Sequence, residues 1–444
     1  VKKKGANTRP GPKAISWVNR DKRVISPSVT RAYPLVIESA KGASITDVDG
    51  KRYLDFTSGI AVTATGHCHP KVVKAITKQA KRLIHMSGTD FYYPSEVLLA
   101  EALTALVPGR SRKKVFFTNS GAESVEGAMK LARYYTDRPY YMAFTGAFHG
   151  RTMGALSLTA SKAVQKRGFG HLVPGVIHAP YPNPYRAPAG VSPEQCVDFT
   201  LDWIENTAFR HLVPAEEVAA IFVEPIQGEG GYIVPPKLFL KKLAKLAASY
   251  GIVLVVDEIQ TGMGRTGKLF ASEHFNYAPE MMTLAKGIAS GLPLGAIIAN
   301  AKMMDSWESG SHANTFGGNP VACEAALATL DLLKQGLMRN AERVGKFILS
   351  RLRTIQNNHR LMGDVRGMGL MIGIELVLDR KTKAPAIAQR NAIVRRCFEK
   401  GLLVLGCGQS VLRFMPPLTL TQKEAEQGLG VFEAVLREVE SQKG

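Results

Sequence analysis

Two residues with complementary chemistry follow two short apolar runs: Asp257 comes directly after Ile252 to Val256, and Lys286 stands one residue beyond Met281 to Leu284. Continuous apolar runs of this length, separated by helical stretches, read as buried strands of a parallel sheet. Open parallel sheets bind ligands beyond the carboxyl ends of their strands. An acid and a lysine at neighbouring strand ends are also compatible with a plain salt bridge. A third feature adds to them: the run Lys114 to Phe117 leads through Thr118-Asn119-Ser120-Gly121-Ala122-Glu123 into a helix reaching about Arg133. Ser120 with Glu123 reads as a capping box, and Gly121 lets the backbone come close to a bound group. The free N–H groups and positive dipole end of such a helix favour phosphate. Alone, the segment reads better as an ordinary capped helix. Taken together, the three features match the needs of pyridoxal phosphate: an amine for its aldehyde, a carboxylate that keeps its pyridine nitrogen protonated, and an anion site.

Two other patterns invite different chemistry. Gly262-Met263-Gly264-Arg265-Thr266-Gly267 fits the dinucleotide fingerprint G-x-G-x-x-G and follows a strand. The segment after it, Lys268 to Pro279, is aromatic and irregular where the fingerprint demands an amphipathic helix, so a tight loop beside the cofactor is the better reading. His67-Cys68-His69 crowds three donors onto adjacent residues before Pro70, a spacing unlike zinc sites, and reads as a turn before a helix starting near Lys71. No metal site is expected.

The elements that must position these residues define an α/β chain. Residues 1 to about 30 are polar, basic and interrupted by Pro10, Pro12 and Pro27, which predicts an arm. Leu35 to Ile37, Ser44 to Val48 and Tyr53 to Phe56 read as short strands, with a hairpin turn at Asp49-Gly50. From about residue 70, helices alternate with apolar runs at Lys114 to Phe117, Tyr140 to Phe144, Ala219 to Val223, Ile252 to Val256, Met281 to Leu284 and Ala296 to Ala299. This pattern predicts a mostly parallel sheet covered by helices. The Pro-rich stretch Pro174 to Pro193 reads as a long ordered loop. After about residue 320 come long helices, the alternating segment Gly369 to Val377 and a terminal helix from Gln422, which predicts a smaller α+β domain. The expected division is residues 1–68 as arm and part of the small domain, 69–325 as the large cofactor-binding domain, and 326–444 as the C-terminal small domain. There is no internal repeat.

A chain of 444 residues, 45% hydrophobic and 21% charged, is too long for one ordinary core and fits two domains. Its apolar runs are far shorter than the roughly 20 residues of a membrane span. Lys2, Lys3 and Lys4 are not followed by an apolar segment or a small-residue cleavage site, so no secretory signal is expected. Five scattered cysteines suit free thiols in the cytoplasm. The net charge of +20 raises the question of nucleic acid, but no recognised module accompanies it. Lys71, Lys74, Lys78 and Lys81 fall opposite Val72, Ile76 and Ala80 as the wet face of an amphipathic helix. A positive potential also draws in small anions such as dicarboxylic acids.

The sequence resembles the class III aminotransferases of fold type I, with particular similarity to 4-aminobutyrate aminotransferases, from about Tyr33 to Phe432. The motifs that carry the resemblance are Gly66-His67-Cys68-His69-Pro70, Asn119 to Glu123, Phe148-His149-Gly150-Arg151-Thr152, Val223-Glu224-Pro225 through Gly231, Asp257-Glu258-Ile259-Gln260-Thr261-Gly262, Leu284-Ala285-Lys286-Gly287 and Asn314-Thr315-Phe316-Gly317-Gly318-Asn319-Pro320. The resemblance implies that Lys286 bonds the cofactor aldehyde and, once released by substrate, shuttles a proton; lysine suits both roles when burial lowers its pKa. It implies that Asp257 pairs with the pyridinium nitrogen, that Gln260 hydrogen-bonds the phenolic oxygen, and that Phe148 and Ile259 cover the two ring faces. Ser120, Gly121 and Ala122 are implied at the phosphate, and Thr315 is implied to reach that phosphate from a neighbouring subunit, so the site is expected at a homodimer interface, with higher assembly open. His149 and Glu224 are counted among the cofactor-binding residues.

For substrate, the resemblance implies Arg413 as the fork for the α-carboxylate of 2-oxoglutarate or glutamate. Glu229 matches the acid that pairs with that arginine when the substrate lacks an α-carboxylate, and Arg151 matches the arginine that meets the distal carboxylate. Ile60 stands where ornithine aminotransferases typically have tyrosine and 4-aminobutyrate enzymes have isoleucine, although acetylornithine enzymes share Gly59-Ile60-Ala61-Val62. Met263, where many relatives have phenylalanine, is a small departure. The expected reaction is transfer of an amino group from an ω-amino acid, 4-aminobutyrate favoured, to 2-oxoglutarate, by ping-pong kinetics. Rivals on the same fold are an acetylornithine or ornithine aminotransferase and an amino-acid racemase or 2-epimerase.

Overall fold

The computed structural model describes residues 9–442; the lysines at positions 2–4 and the rest of the first eight residues lie outside that range. The chain divides into two compact units, one running from Pro70 to Met338, the other combining the segment up to His69 with the segment from Arg339 onward.

The Pro70–Met338 unit is built on a seven-stranded sheet. From one edge to the other the strands are Lys113–Thr118, Gly295–Asn300, Met281–Leu284, Val253–Asp257, Val218–Val223, Tyr140–Phe144 and Val176–Ala179. Gly295–Asn300 runs antiparallel to both its neighbours, and the other pairings are parallel. Every residue of Val218–Val223 and Val253–Asp257 is buried, which is why these strands read as unbroken apolar runs: both faces are covered. Helices Gly121–Thr136, Met153–Leu158 and Phe239–Ser249 pack against the sheet. One antiparallel strand between two co-directional ones brings Thr118, Phe144, Val223, Asp257 and Leu284 out along the same edge. That edge is where the chemistry expected from the sequence must sit.

The other unit holds two four-stranded sheets. In the first, Ile37–Lys41, Ser44–Asp47 and Arg52–Asp55 form an antiparallel meander, and Leu402–Leu403 adds parallel to Arg52–Asp55, joining the two chain ends. The turn at Asp49-Gly50 forms as expected, with Gly50 at φ 78°. Ile45, Tyr53, Phe398 and Leu403 are buried together, with Tyr53 and Tyr33 each stacked on Phe398. The second sheet is antiparallel in the order Met362–Met368, Met371–Leu376, Val411–Phe414, Leu405–Cys407.

Three features differ from the sequence reading. Part of the expected arm is a helix, Pro12–Val24; its N-terminus is capped by the Asp49 carboxylate, which accepts the N–H groups of Lys13 and Ala14 at 3.0 and 2.9 Å. A cap supplied from 35 residues downstream leaves no local signature. Val176–Ala179, inside the stretch expected to be a loop, is an edge strand parallel to Tyr140–Phe144. The second domain boundary falls at 338/339 rather than 325/326, because helix Pro320–Leu332 packs on Pro70–Ala80, Pro94–Leu106 and the turn carrying Lys286. Among the described residues no helix is long and apolar enough to cross a membrane, and no group of His, Cys, Asp and Glu is arranged to hold a metal. None of the five cysteines is in a disulfide.

Helix Met338–Asn358 crosses the tight turn between the Met362–Met368 and Met371–Leu376 strands at Gly345, where an added Cβ would collide with the backbone carbonyl of Gly369. Backbone cannot step aside as a side chain can, so Gly345→Ala is expected to destabilise by about 1–3 kcal/mol. Denaturant unfolding checks this; an unchanged midpoint contradicts the close approach.

Candidate active site

Asp257 ends its strand with only 3% of its surface exposed, so its charge needs a partner inside the protein. His149 supplies it, with Nδ1 2.7 Å from Asp257 Oδ2. The other oxygen, Oδ1, accepts the N–H of Ile259 at 3.0 Å. The backbone that carries the imidazole is itself held, the main-chain N–H of His149 donating to Thr159 Oγ1 at 2.9 Å. Burial alone would lower the His149 pKa, but the hydrogen bond to Asp257 and the charges of Asp257 and Glu224 outweigh it and the net shift is upward. A protonated His149 donates from Nδ1 and balances the buried aspartate.

Glu224, one residue past Val218–Val223, is the third member of this cluster. Its Oε1 accepts the N–H of Phe148 at 2.9 Å and its Oε2 the N–H of Gly228 at 2.8 Å. One buried carboxylate thus ties the loop bearing Phe148 to the loop bearing Gly228 and Glu229. Burial pushes its pKa from 4.5 up to about 7; the His149 charge and the two N–H groups oppose that rise and the Asp257 charge adds to it.

Lys286 follows the strand that pairs directly with Val253–Asp257, with Asp257 opposite Thr283. Its backbone is left-handed, at φ 46°, a conformation costly for a residue with a Cβ and concentrated at functional sites. The side chain is part-buried, between buried Ala285 and Gly287.

The Gly121–Thr136 helix opens on the same sheet edge. Ser120 is its N-cap, accepting the Glu123 N–H at 3.2 Å, but the expected capping box is only half formed: the Glu123 carboxylate takes the N–H and side-chain amide of Asn119 instead. Ser124 anchors this helix end to the lysine strand, its hydroxyl donating to Leu284 O at 3.1 Å. The lack of a side chain at Gly121 matters here, since a Cβ there would stand 3.0 Å from Ile259 Cδ1. A Cβ at Gly228 would likewise press on the Gln260 amide, whose Oε1 is buried without a hydrogen-bond partner. The ring-covering, amide and phosphate positions inferred from the sequence therefore lie around Asp257 and Lys286.

The substrate candidates are distributed differently. The Arg151 guanidinium lies 5.7 Å from the Phe148 ring centroid, a cation–π distance. Glu229 accepts from Lys162 Nζ at 2.5 Å, a partner the sequence did not suggest. Thr315 is on an exposed segment whose neighbour Asn314 bonds Phe117 O at 2.8 Å. Arg413 and Ile60 belong to the other unit: Arg413 is buried at 6% exposure in the middle of a sheet, opposite Gly373 and Leu405, and Ile60 is exposed within a turn where four consecutive residues, Ser58 to Ala61, are left-handed. The glycine-rich 262–267 segment is a run of turns followed by a short 3-10 helix, with no amphipathic helix for a dinucleotide. His67 Nε2 lies 2.7 Å from Asp55 Oδ2.

A sequence model described as aminotransferase class-III matches residues 25–436. The chain belongs to the class III aminotransferase family. Among its relatives, the alanine/serine racemase of Pyrococcus horikoshii is 42% identical, over 97% of this chain and 91% of that protein. The probable 4-aminobutyrate aminotransferase of Bacillus subtilis is 40% identical, over 95% of this chain and 97% of that protein. A solved amine transaminase from an uncultivated Pseudomonas species, in its pyridoxal-phosphate-bound form, superposes with a TM-score of 0.86 at 33% identity, covering 93% of this chain and 98% of that one. The fold is thus the fold type I arrangement of pyridoxal-phosphate enzymes, and this class III member depends on that cofactor.

The residues in place fit the cofactor: an ionisable pair, Asp257 and His149, for the ring nitrogen, the unpartnered Gln260 oxygen, the side-chain-free Gly121 and a helix start for phosphate. Sequence reasoning missed Lys162, Thr159 and Ser124, whose roles depend on contacts between distant segments.

Glu224 gives a pH test. A carboxyl group whose pKa is raised on folding binds more protons folded than unfolded, so its contribution to stability is present below pH 4.5 and lost as pH rises through about 7. Glu224→Gln should cost roughly 1–3 kcal/mol near neutrality or below it, by turning an amide NH₂ toward a backbone N–H, and should flatten the fall in melting temperature across that window. Parallel pH profiles for the two proteins would contradict the assignment.

Proposed function

We propose that this protein transfers the amino group of an ω-amino acid, with 4-aminobutyrate favoured, to 2-oxoglutarate, giving a semialdehyde and glutamate. Bound pyridoxal phosphate supplies the electron sink that makes the proton on the amino-bearing carbon acidic. Lys286 Nζ removes that proton from the donor; in transamination it does not go back to the same carbon. Asp257, held by His149, binds the ring nitrogen, Gln260 the phenolic oxygen, and Phe148 and Ile259 keep the ring between them. Ser120, Gly121 and Ala122 bind the phosphate. Arg151 takes the distal carboxylate of either substrate, Arg413 the α-carboxylate of the keto acid, and Glu229 provides countercharge when the donor brings no α-carboxylate. Ile60 lines the donor side and offers no hydroxyl for an ornithine-type substrate.

The observation that carries the reading is the locked Asp257–His149 pair on the strand next to Lys286. Its substrate assignment is supported by the similarity to the Bacillus subtilis protein. A homodimer with shared sites is part of the proposal, supported by exposed Phe91, Tyr92 and Phe316 on two segments that meet where the Thr89 hydroxyl donates to Asn314 O, next to exposed Thr315. We place the enzyme in the cytoplasm, in keeping with its five free thiols.

The similarity to the Pyrococcus horikoshii racemase supports a second reading, in which the proton returns to the same carbon from the opposite face. One comparison separates them. With 4-aminobutyrate and 2-oxoglutarate, glutamate is expected at a rate at least about tenfold above that of any racemisation of alanine or serine, counted as turnovers per site. Conversion of an L-amino acid to its D form without added keto acid, at a rate exceeding glutamate formation, would contradict the transaminase reading.

A further inference from the structure

We propose that Thr283 is a positioning residue for the cofactor: when the cofactor is bound, its hydroxyl donates to the Asp257 carboxylate and holds that carboxylate toward the ring nitrogen. This rests on the reading of Asp257 given above and on no choice of substrate. Thr283 lies on Met281–Leu284, the strand that leads to Lys286, and is fully buried. Its Oγ1 has no hydrogen-bond partner within the protein. A hydroxyl taken out of water and left unbonded is destabilising, and folded proteins hold few of them, so one beside a binding site calls for a reason.

Register and pleat give its direction. Asp257 and Thr283 are paired residues of two parallel strands, and the Glu258 N–H donates to Thr283 O at 3.0 Å. Two residues earlier, Val255 and Met281 are paired as well, and both lie in one hydrophobic cluster with Val125 and Ala128 of helix Gly121–Thr136. Side chains two apart on a strand share a face, so Asp257 and Thr283 both point to the side of that helix. Neighbouring strands lie about 4.8 Å apart, which puts a hydroxyl and a carboxylate at paired positions within reach of one hydrogen bond.

The carboxylate has room for that bond. An ionised carboxylate offers about four lone-pair sites. Asp257 uses one on each oxygen, for His149 Nδ1 and for the Ile259 N–H. The third is left for the pyridinium N–H and the fourth for the Thr283 hydroxyl. Neighbouring hydroxyls are committed elsewhere: those of Thr118 and Ser124 bond each other, and that of Thr159 donates to the carbonyls of Gly150 and Ala155. With cofactor bound, three protein donors keep Asp257 in one orientation. Because the Thr283 bond belongs to that state, it strengthens cofactor binding and adds nothing to the stability of the apoprotein.

The test uses the full chain as apoprotein: wild type, Thr283→Val, which keeps the branched shape without the hydroxyl, and Thr283→Ser, which keeps the hydroxyl. Each is titrated with pyridoxal phosphate and with its analogue carrying carbon in place of the ring nitrogen. In the valine variant, Kd for pyridoxal phosphate should rise at least about fivefold, while Kd for the carbon analogue stays within about twofold of wild type. The serine variant should stay within about twofold for both. The denaturation midpoint of the valine apoprotein should not fall, since the hydroxyl it lacks bonds nothing there. A valine Kd within about twofold of wild type, an equal loss for both cofactors, a serine variant that behaves like valine, or a lowered apoprotein midpoint would overturn the proposal. If wild type binds the two cofactors equally, the pairing of Asp257 with the ring nitrogen fails and this inference falls with it. A wild-type preference that valine leaves intact sinks the inference alone.

Discussion

A carboxylate with 3% of its surface exposed cannot remain charged without a partner, and the rest of this site follows from satisfying Asp257. His149 meets that demand, and because a buried imidazolium needs negative surroundings of its own, Glu224 stands close enough to raise its pKa further. Glu224 in turn spends both oxygens on the backbone N–H groups of Phe148 and Gly228. One buried carboxylate thus ties the backbone at Phe148 to the loop that holds Glu229, while Thr159 Oγ1 accepts the main-chain N–H of His149. Removing His149 would leave an uncompensated carboxylate in the interior, which commonly costs about 3–5 kcal/mol.

The sheet brings this cluster to Lys286. A single antiparallel strand, Gly295–Asn300, lies between Lys113–Thr118 and Met281–Leu284, so the start of helix Gly121–Thr136 and the lysine emerge along one edge. The close fit is visible in what glycine permits. A Cβ at Gly295 would strike the Ser124 hydroxyl that links the helix start to Leu284, and a Cβ at Gly121 would crowd Ile259. The helix dipole, the acid and the amine are therefore held by backbone packing rather than by long flexible side chains.

Much of this was legible in the sequence, for stated reasons. Strands buried on both faces announce themselves as unbroken apolar runs, and Val218–Val223 and Val253–Asp257 are of that kind. Ligands bind beyond the carboxyl ends of such strands, which made Asp257 and Lys286 conspicuous. What stayed hidden depends on contacts between distant segments. The Pro12–Val24 helix draws its cap from Asp49, the short edge strand Val176–Ala179 has too little burial to show a period, and Glu123 turns to Asn119 although its spacing from Ser120 fits a capping box. The Lys162–Glu229 pair joins residues 67 positions apart, and no local pattern carries that information.

The account stands on the nitrogen of Lys286 bonding the cofactor aldehyde beside Asp257. The most direct measurement is to load the protein with pyridoxal phosphate, reduce it with borohydride, digest it and weigh the peptides. The account predicts a stable pyridoxyl adduct on the peptide containing Lys286, matched by loss of the yellow absorbance. An adduct confined to other lysines, or none at all in folded protein, would contradict it.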